Sequence, residues 1–158
     1  MRKDKDILIY IVDDDSIYST FIWSYFESNG FKNIKIFEDA QSCLDQLFRM
    51  PDLIILDFQM EGMNGLQALK GIKSFDPDLA VILLSGKGNV QVAVDSLKYG
   101  GLDYIVKDDE ALVHLGKLIE KIKKIRLIHS NKKRKRIRKQ VFIALIIPIL
   151  LTLIILYL

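Results

Sequence analysis

Asp13 and Asp14, Asp57, Ser85 and Lys107 each stand at the end of a short apolar run. The runs are ILIYIV at 7–12, LIILD at 53–57, LAVILLS at 79–85 and LDYIV at 102–106, and a fifth, IKIF, lies at 34–37. In an open sheet of parallel strands, ligands bind outside the carboxyl ends of the strands. Three carboxylates, a hydroxyl and an ammonium would then converge on one edge. Carboxylates gathered in this way oppose each other's ionisation unless a cation neutralises them. All-oxygen ligands suit a hard divalent ion such as Mg2+, which keeps waters and phosphate oxygens in its shell. A carboxylate beside such an ion can act as a nucleophile toward phosphorus and form an acyl phosphate. Ser85 could donate to one phosphoryl oxygen and Lys107 pair with another, and phosphoryl transfer needs mostly such positioning and charge neutralisation.

The elements that must hold these groups are legible from periodicity. Several of the runs are too uniformly apolar for strands with one wet face, which suits a sheet covered on both sides. Between them lie segments with helical spacing. Ser16–Asn29 carries Ile17, Phe21, Trp23, Tyr25 and Phe26 and stops at Gly30, and Asp39–Arg49 carries Cys43, Leu44, Leu47 and Phe48 and stops before Pro51. Gly65–Ser74 carries Leu66, Leu69 and Ile72, and Asn89–Tyr99 carries Val90, Val94 and Leu97 and stops at Gly100–Gly101. A fifth helix is expected from about Asp109. Alternation of strand and helix predicts an α/β fold with a doubly wound parallel sheet.

The chain has 158 residues, half of them apolar, which allows one domain with a proper core and something extra. The single cysteine, Cys43, excludes an internal disulfide framework and suits a reducing compartment. The charged start MRKDKD leads into a strand-like segment with no small-residue cleavage site, so no signal peptide is expected. The net charge of +3 hides a split: residues 1–120 carry 12 Lys/Arg against 20 Asp/Glu, and residues 121–158 carry 11 Lys/Arg and no acid. His114 and His129 have no phosphodonor motif around them and read as surface or packing residues. GKG at 86–88 lacks the rest of a nucleotide-binding loop.

Taken together, VDD at 12–14, LIILDFQMEGMNG at 53–65, LLSGKG at 83–88 and DYIVK at 103–107 resemble the receiver domain of bacterial two-component response regulators. The resemblance covers roughly residues 6 to 128. It implies a flavodoxin-like sheet of order 2-1-3-4-5 flanked by five helices. It implies that Asp57 is the phosphoacceptor, that Asp13 and Asp14 form the acidic pair for Mg2+, with Asp14 the direct ligand, and that the Gln59 backbone carbonyl completes the protein's share of the metal shell. Ser85 matches the switch hydroxyl, Lys107 the lysine of the motif, and Tyr104 the switch aromatic that turns inward as Ser85 engages the phosphate. Asp15 or Ser16 is read as the N-cap of the first helix. Gly86 should leave the phosphate reachable, and Gln59 could orient a hydrolytic water.

Two positions depart from the family pattern. Met60–Glu61 stands where Met-Pro is usual after the phosphoacceptor, and Asp108 stands where proline usually follows the lysine. The second removes a cis peptide that commonly fixes the lysine's approach. Both departures bear on loop shape and partner surface.

Past Ile128 the composition changes. Seven of the eight residues 132–139 are Lys or Arg, and VFIALIIPILLTLIILYL at 141–158 has no charge. As a helix those 18 residues span about 27 Å, close to a hydrocarbon core. Pro148 is tolerated in such a segment. A basic block before it keeps that side cytoplasmic and attracts anionic headgroups. The expected organisation is a receiver over 1–128, a basic juxtamembrane linker over 129–140 and a transmembrane helix over 141–158. Burial of the apolar segment against a partner or a second copy, or an interfacial or hairpin placement, are the alternatives.

The function expected is that of a response regulator tethered to the bacterial inner membrane, its receiver on the cytoplasmic side. It would not be an enzyme beyond assisting its own phosphorylation and dephosphorylation. A histidine kinase or histidine phosphotransfer protein would phosphorylate Asp57. Output would be a changed contact with an unknown downstream protein, or the domain would act as a phosphate sink. A phosphorylation-independent membrane scaffold is the alternative. Nucleic acid is not expected as a partner, because the apolar run explains the basic block.

Overall fold

A computed structural model describes residues 7–124. The chain divides into two compact units, 1–115 and 116–158, and every strand lies in the first. Of the second unit, residues 116–124 are described and are helical. The basic block, the apolar segment 141–158 and His129 lie outside the described residues. Among the described residues no helix is long and apolar enough to cross a membrane.

Five parallel strands form one sheet: β1 (Leu8–Val12), β2 (Asn33–Phe37), β3 (Leu53–Asp57), β4 (Ala80–Ser85) and β5 (Asp103–Val106). Their order is β2-β1-β3-β4-β5, as expected. Every residue of β3 is buried, and β1 and β4 are buried along nearly their whole length. That is why these runs lack polar alternation: both of their faces are covered. Tyr10, Val12, Ile54, Leu56, Val81 and Leu83 share one face with Cys43, Leu69 and Ile72 from the helices. The alternating residues Ile9, Ile11, Ile55, Ile82 and Leu84 are buried on the other.

The helices are α1 (Ser16–Ser28), α2 (Ala40–Leu44), α3 (Gly65–Phe75) and α4 (Val90–Lys98), and a fifth, α5, covers 111–124. Each of α1 to α4 starts at a side-chain cap, respectively Asp15, Asp39, Asn64 and Asn89. Asp15, not Ser16, caps α1, accepting from the N–H groups of Ile17 and Tyr18 at 3.0 and 3.1 Å.

One expectation about helices is corrected, and two helix faces are decided by packing. The segment 39–49 is not one helix: α2 ends at Leu44, and a 3-10 turn, Leu47–Arg49, follows. Hydrogen bonds from Gln46 to the Cys43 carbonyl and from Met50 to the Leu47 carbonyl tighten the chain there. Pro51 denies helical geometry to Met50, which takes a φ of 55°. On α1, Ile17 and Phe21 face solvent, and the residues that are buried are Ser19, Ile22 and Phe26. On α4 the stripe Val90, Val94, Leu97 also faces outward, with Val90 81% exposed, while Val92 and Ser96 are buried. Ser96 seats α4 against the turn before β5: a Cβ on Gly101 would come within 2.6 Å of the Ser96 hydroxyl oxygen, so both positions must stay small.

Candidate functional site

The parallel register sets the ends of β1, β3, β4 and β5 side by side. Val12 pairs with Leu56, Asp57 with Leu84 and Ser85 with Val106, so Asp13, Asp57, Ser85 and Lys107 emerge along one sheet edge. Close approach of α3 to this edge depends on Gly65. A Cβ there would lie 2.3 Å from the Asp57 carbonyl oxygen and 2.8 Å from a Leu83 methyl.

Asp13, Asp57 and Ser85 are buried, and Asp14 is exposed. The Lys107 ammonium lies 2.7 Å from Asp13 Oδ2 and 2.7 Å from Asp57 Oδ1. The second oxygen of each carboxylate takes a backbone N–H: Asp15 donates to Asp13 Oδ1 at 3.0 Å, and Gln59 donates to Asp57 Oδ2 at 2.7 Å. Asp14 accepts from the Glu61 N–H at 3.2 Å. Carboxylate oxygens of Asp13, Asp14 and Asp57 all lie within 4.8 Å of one another. This set of hard oxygen donors, two of them buried, suits a divalent cation that prefers oxygen.

One ammonium serves two buried carboxylates, and that ratio decides the proton affinities. Burial raises the carboxyls of both Asp13 and Asp57 above the usual range, and the hydrogen bonds and charge of Lys107 offset this only in part. Burial pulls on Lys107 in the other direction, but its hydrogen bonds to Asp13 and Asp57 outweigh it, so the ammonium holds its proton more tightly than an ordinary lysine. Lys107, the ammonium set between these two carboxylates, therefore stays protonated.

Ser85 and Tyr104 meet beside it. Ser85 Oγ donates to the Lys87 carbonyl at 2.8 Å, and the Tyr104 hydroxyl donates to the same oxygen at 3.0 Å. Tyr104 also accepts from the Asn89 N–H, at 3.1 Å. Asn89 is the N-cap of α4, so these bonds tie the end of β4, the following loop and the start of α4 together. A Cβ built on Gly86, the residue after Ser85, meets nothing within 4 Å.

The sequence-predicted residues Asp13, Asp14, Asp57, Ser85 and Lys107 are thus brought to one crevice, with the Gln59 N–H inside it and Tyr104 at its rim. His114 is not part of it; its Nε2 lies 3.3 Å from Asp103 on a half-exposed surface. Three contributors have no signal in residue type or spacing. The Tyr18 ring lies 4.5 Å from the Lys107 ammonium. The Lys87 carbonyl and the Glu61 N–H are backbone groups. Only the departure at 61 hinted at the last of these, since a proline there would have no N–H to give.

At the second departure, Asp108 begins the approach to α5. Its side chain accepts from the Glu110 N–H and its carbonyl from the Ala111 N–H. Lys107 is held by its own N–H, which donates to the Ser85 carbonyl at 2.8 Å. Among the described residues there is no cis peptide.

Comparison with known proteins agrees with this geometry. The model of the response regulator receiver domain matches residues 9–122. The transcriptional regulatory protein FixJ of Bradyrhizobium diazoefficiens is 32% identical over 106 residues, which is 65% of this chain and 50% of that protein. The transcriptional regulatory protein ZraR of Escherichia coli O157:H7 is 33% identical over 103 residues, 65% of this chain and 23% of that protein. The chain thus spans half or less of the length of these curated relatives. Among solved structures, a CheY-like receiver domain protein from Methanospirillum hungatei superposes with a TM-score of 0.68 at 25% identity, over 75% of this chain and 95% of that one. A chain of the CheX–CheY–BeF3–Mg2+ complex from Borrelia burgdorferi superposes with a TM-score of 0.66 at 27% identity, over 72% of this chain and 87% of that one. With the matched model spanning every strand and the crevice at their ends, the chain belongs to the response regulator receiver domain family.

Proposed function

We propose that this protein is a phosphorylation-dependent signalling receiver, with Asp57 as its phosphoacceptor. The observation that carries the reading is the single Lys107 ammonium held 2.7 Å from both Asp13 and Asp57, with a third carboxylate alongside. That arrangement presents a carboxylate oxygen to phosphorus next to fixed positive charge, as phosphoryl transfer requires. An Asp57 oxygen forms a bond to phosphorus while the P–N bond of a phosphohistidine breaks, and the released imidazole nitrogen takes up a proton. The donor is a histidine kinase or a histidine phosphotransfer protein.

Asp13, Asp14, Asp57 and the Gln59 carbonyl are the groups assigned to Mg2+. When bound there, the ion would neutralise charge on the transferring phosphoryl group. Lys107 pairs with one phosphoryl oxygen. Ser85 gives its hydroxyl proton to another and so leaves the Lys87 carbonyl. Tyr104 then loses the partner that shares its acceptor, and the loop into α4 repacks. The signal leaves as a changed protein contact on that surface, or the domain acts as a phosphate sink. No further enzymatic activity is assigned to it.

The basic block at 129–140 and the apolar segment 141–158 are assigned to membrane tethering, with the receiver on the cytoplasmic side of a bacterial inner membrane. This part rests on composition alone.

The test uses the full chain in detergent micelles with Mg2+ and a small acyl phosphate, followed by a phosphate-affinity gel. A retarded band that needs both Asp57 and Mg2+ is expected, with Asp57→Asn and chelated samples as the comparisons. A folded protein with no retarded band at any donor concentration would overturn the reading and leave the membrane-bound scaffold as the better account.

A further inference from the structure

Lys107 is held from three directions, and only two of them are carboxylates. Its side chain is 14% exposed, and the Tyr18 ring lies 4.5 Å from the ammonium. Tyr18 sits in the first turn of α1, its N–H bonded to the Asp15 cap and its ring 6.3 Å from that of Phe21. The Tyr18 hydroxyl is buried and has no hydrogen-bond partner among the described residues. The contact to Lys107 is made by the ring. A protonated amine over an aromatic face is attracted by the ring quadrupole, more so when water is excluded. A ring is also a wall: it offers the ammonium no competing acceptor and leaves it directed at Asp13 and Asp57.

We propose that Tyr18 is a positioning residue for Lys107, its ring holding the ammonium in line with the Asp57 oxygen that takes the phosphoryl group. This rests on the reading of Asp57 as phosphoacceptor and adds a residue to it. The backbone bond from Lys107 to Ser85 fixes where the side chain starts, and the Tyr18 ring fixes where the ammonium ends. An aliphatic side chain at 18 would fill the space but exert no such hold.

The full chain in micelles is compared with Tyr18→Leu and Tyr18→Phe, using a small acyl phosphate and Mg2+. Tyr18→Leu is expected to lower the rate at saturating donor by about tenfold, with half-saturation unchanged, and Tyr18→Phe to match the parent. Isotope-labelled lysine, assigned through Lys107→Arg, gives a second readout. The ε-methylene protons of Lys107 should be shifted upfield by the ring in the parent and in Tyr18→Phe, and return to ordinary positions in Tyr18→Leu. A Tyr18→Leu rate equal to the parent's, a Tyr18→Phe rate as low as that of Tyr18→Leu, or an unshifted Lys107 in the parent each overturns the proposal. Should the parent accept no phosphoryl group, the reading of Asp57 falls, and the ring shift alone decides: its presence in the parent and loss in Tyr18→Leu supports the hold, its absence in the parent refutes it.

Discussion

Ser85 and Tyr104 donate their hydroxyl protons to one acceptor, the Lys87 carbonyl, at 2.8 and 3.0 Å. The hydroxyl that would meet a phosphoryl group and the aromatic at the crevice rim are therefore coupled before any phosphate arrives. Tyr104→Phe removes both the bond to Lys87 and the acceptor for the Asn89 N–H. Amide exchange at Asn89 should then speed up by about tenfold, the equivalent of losing one modest hydrogen bond, while exchange in β3 stays unchanged. Ser85→Ala should slow phosphoryl uptake by about tenfold or more without changing Mg2+ affinity, because a donor to the transferring group is lost while the carboxylates remain.

Burial raises the carboxyl of Asp57, so the folded protein binds that proton more tightly than the unfolded chain does. Stability contributed by this group is therefore fully present below the ordinary carboxyl value and is lost as pH rises through the raised one. Asp57→Asn, which cannot ionise, should melt a few degrees higher than the parent at neutral pH in the presence of a chelator. The gap should narrow in acid and should also narrow when Mg2+ is added at neutral pH. A variant that melts below the parent at neutral pH would contradict the charge balance described for the crevice.

Glu61 contributes through its backbone. Its N–H reaches Asp14, the one exposed carboxylate of the three, at 3.2 Å and draws it toward the other two. Glu61→Pro removes that N–H. Mg2+ affinity, read by calorimetry, should fall by about tenfold, the usual consequence of losing a group that orients a metal ligand. Glu61→Ala keeps the N–H and should bind as the parent does.

Cys43 lies in the core beside Leu47 and Leu69, and burial, with a smaller push from Asp39, raises its thiol to about 12. The thiolate is the reactive form. A thiol reagent should therefore leave the native protein untouched at neutral pH and label it only as it unfolds. The labelling curve in denaturant should overlay the unfolding curve followed by circular dichroism.

Sequence by itself determined the strand–helix alternation and the four strand ends that carry the site, because a buried parallel strand is uniformly apolar and its run stops where a polar or charged residue appears. Asp13, Asp57, Ser85 and Lys107 could be read off as one constellation for that reason, and the motifs around them carried the family resemblance. Helix faces were not legible in the same way. Ile17, Phe21, Val90, Val94 and Leu97 have helical spacing, yet they point to solvent, because Ile22, Phe26, Val92 and Ser96 are the residues that are buried. Periodicity says that a helix has an apolar side; only packing against a particular surface says which side is covered. The Tyr18 ring beside Lys107, the Lys87 carbonyl shared by two hydroxyls and the Glu61 N–H on Asp14 were likewise decided by tertiary structure. Each joins groups distant along the chain or uses a backbone atom, and neither kind of contact leaves a mark in residue type or spacing.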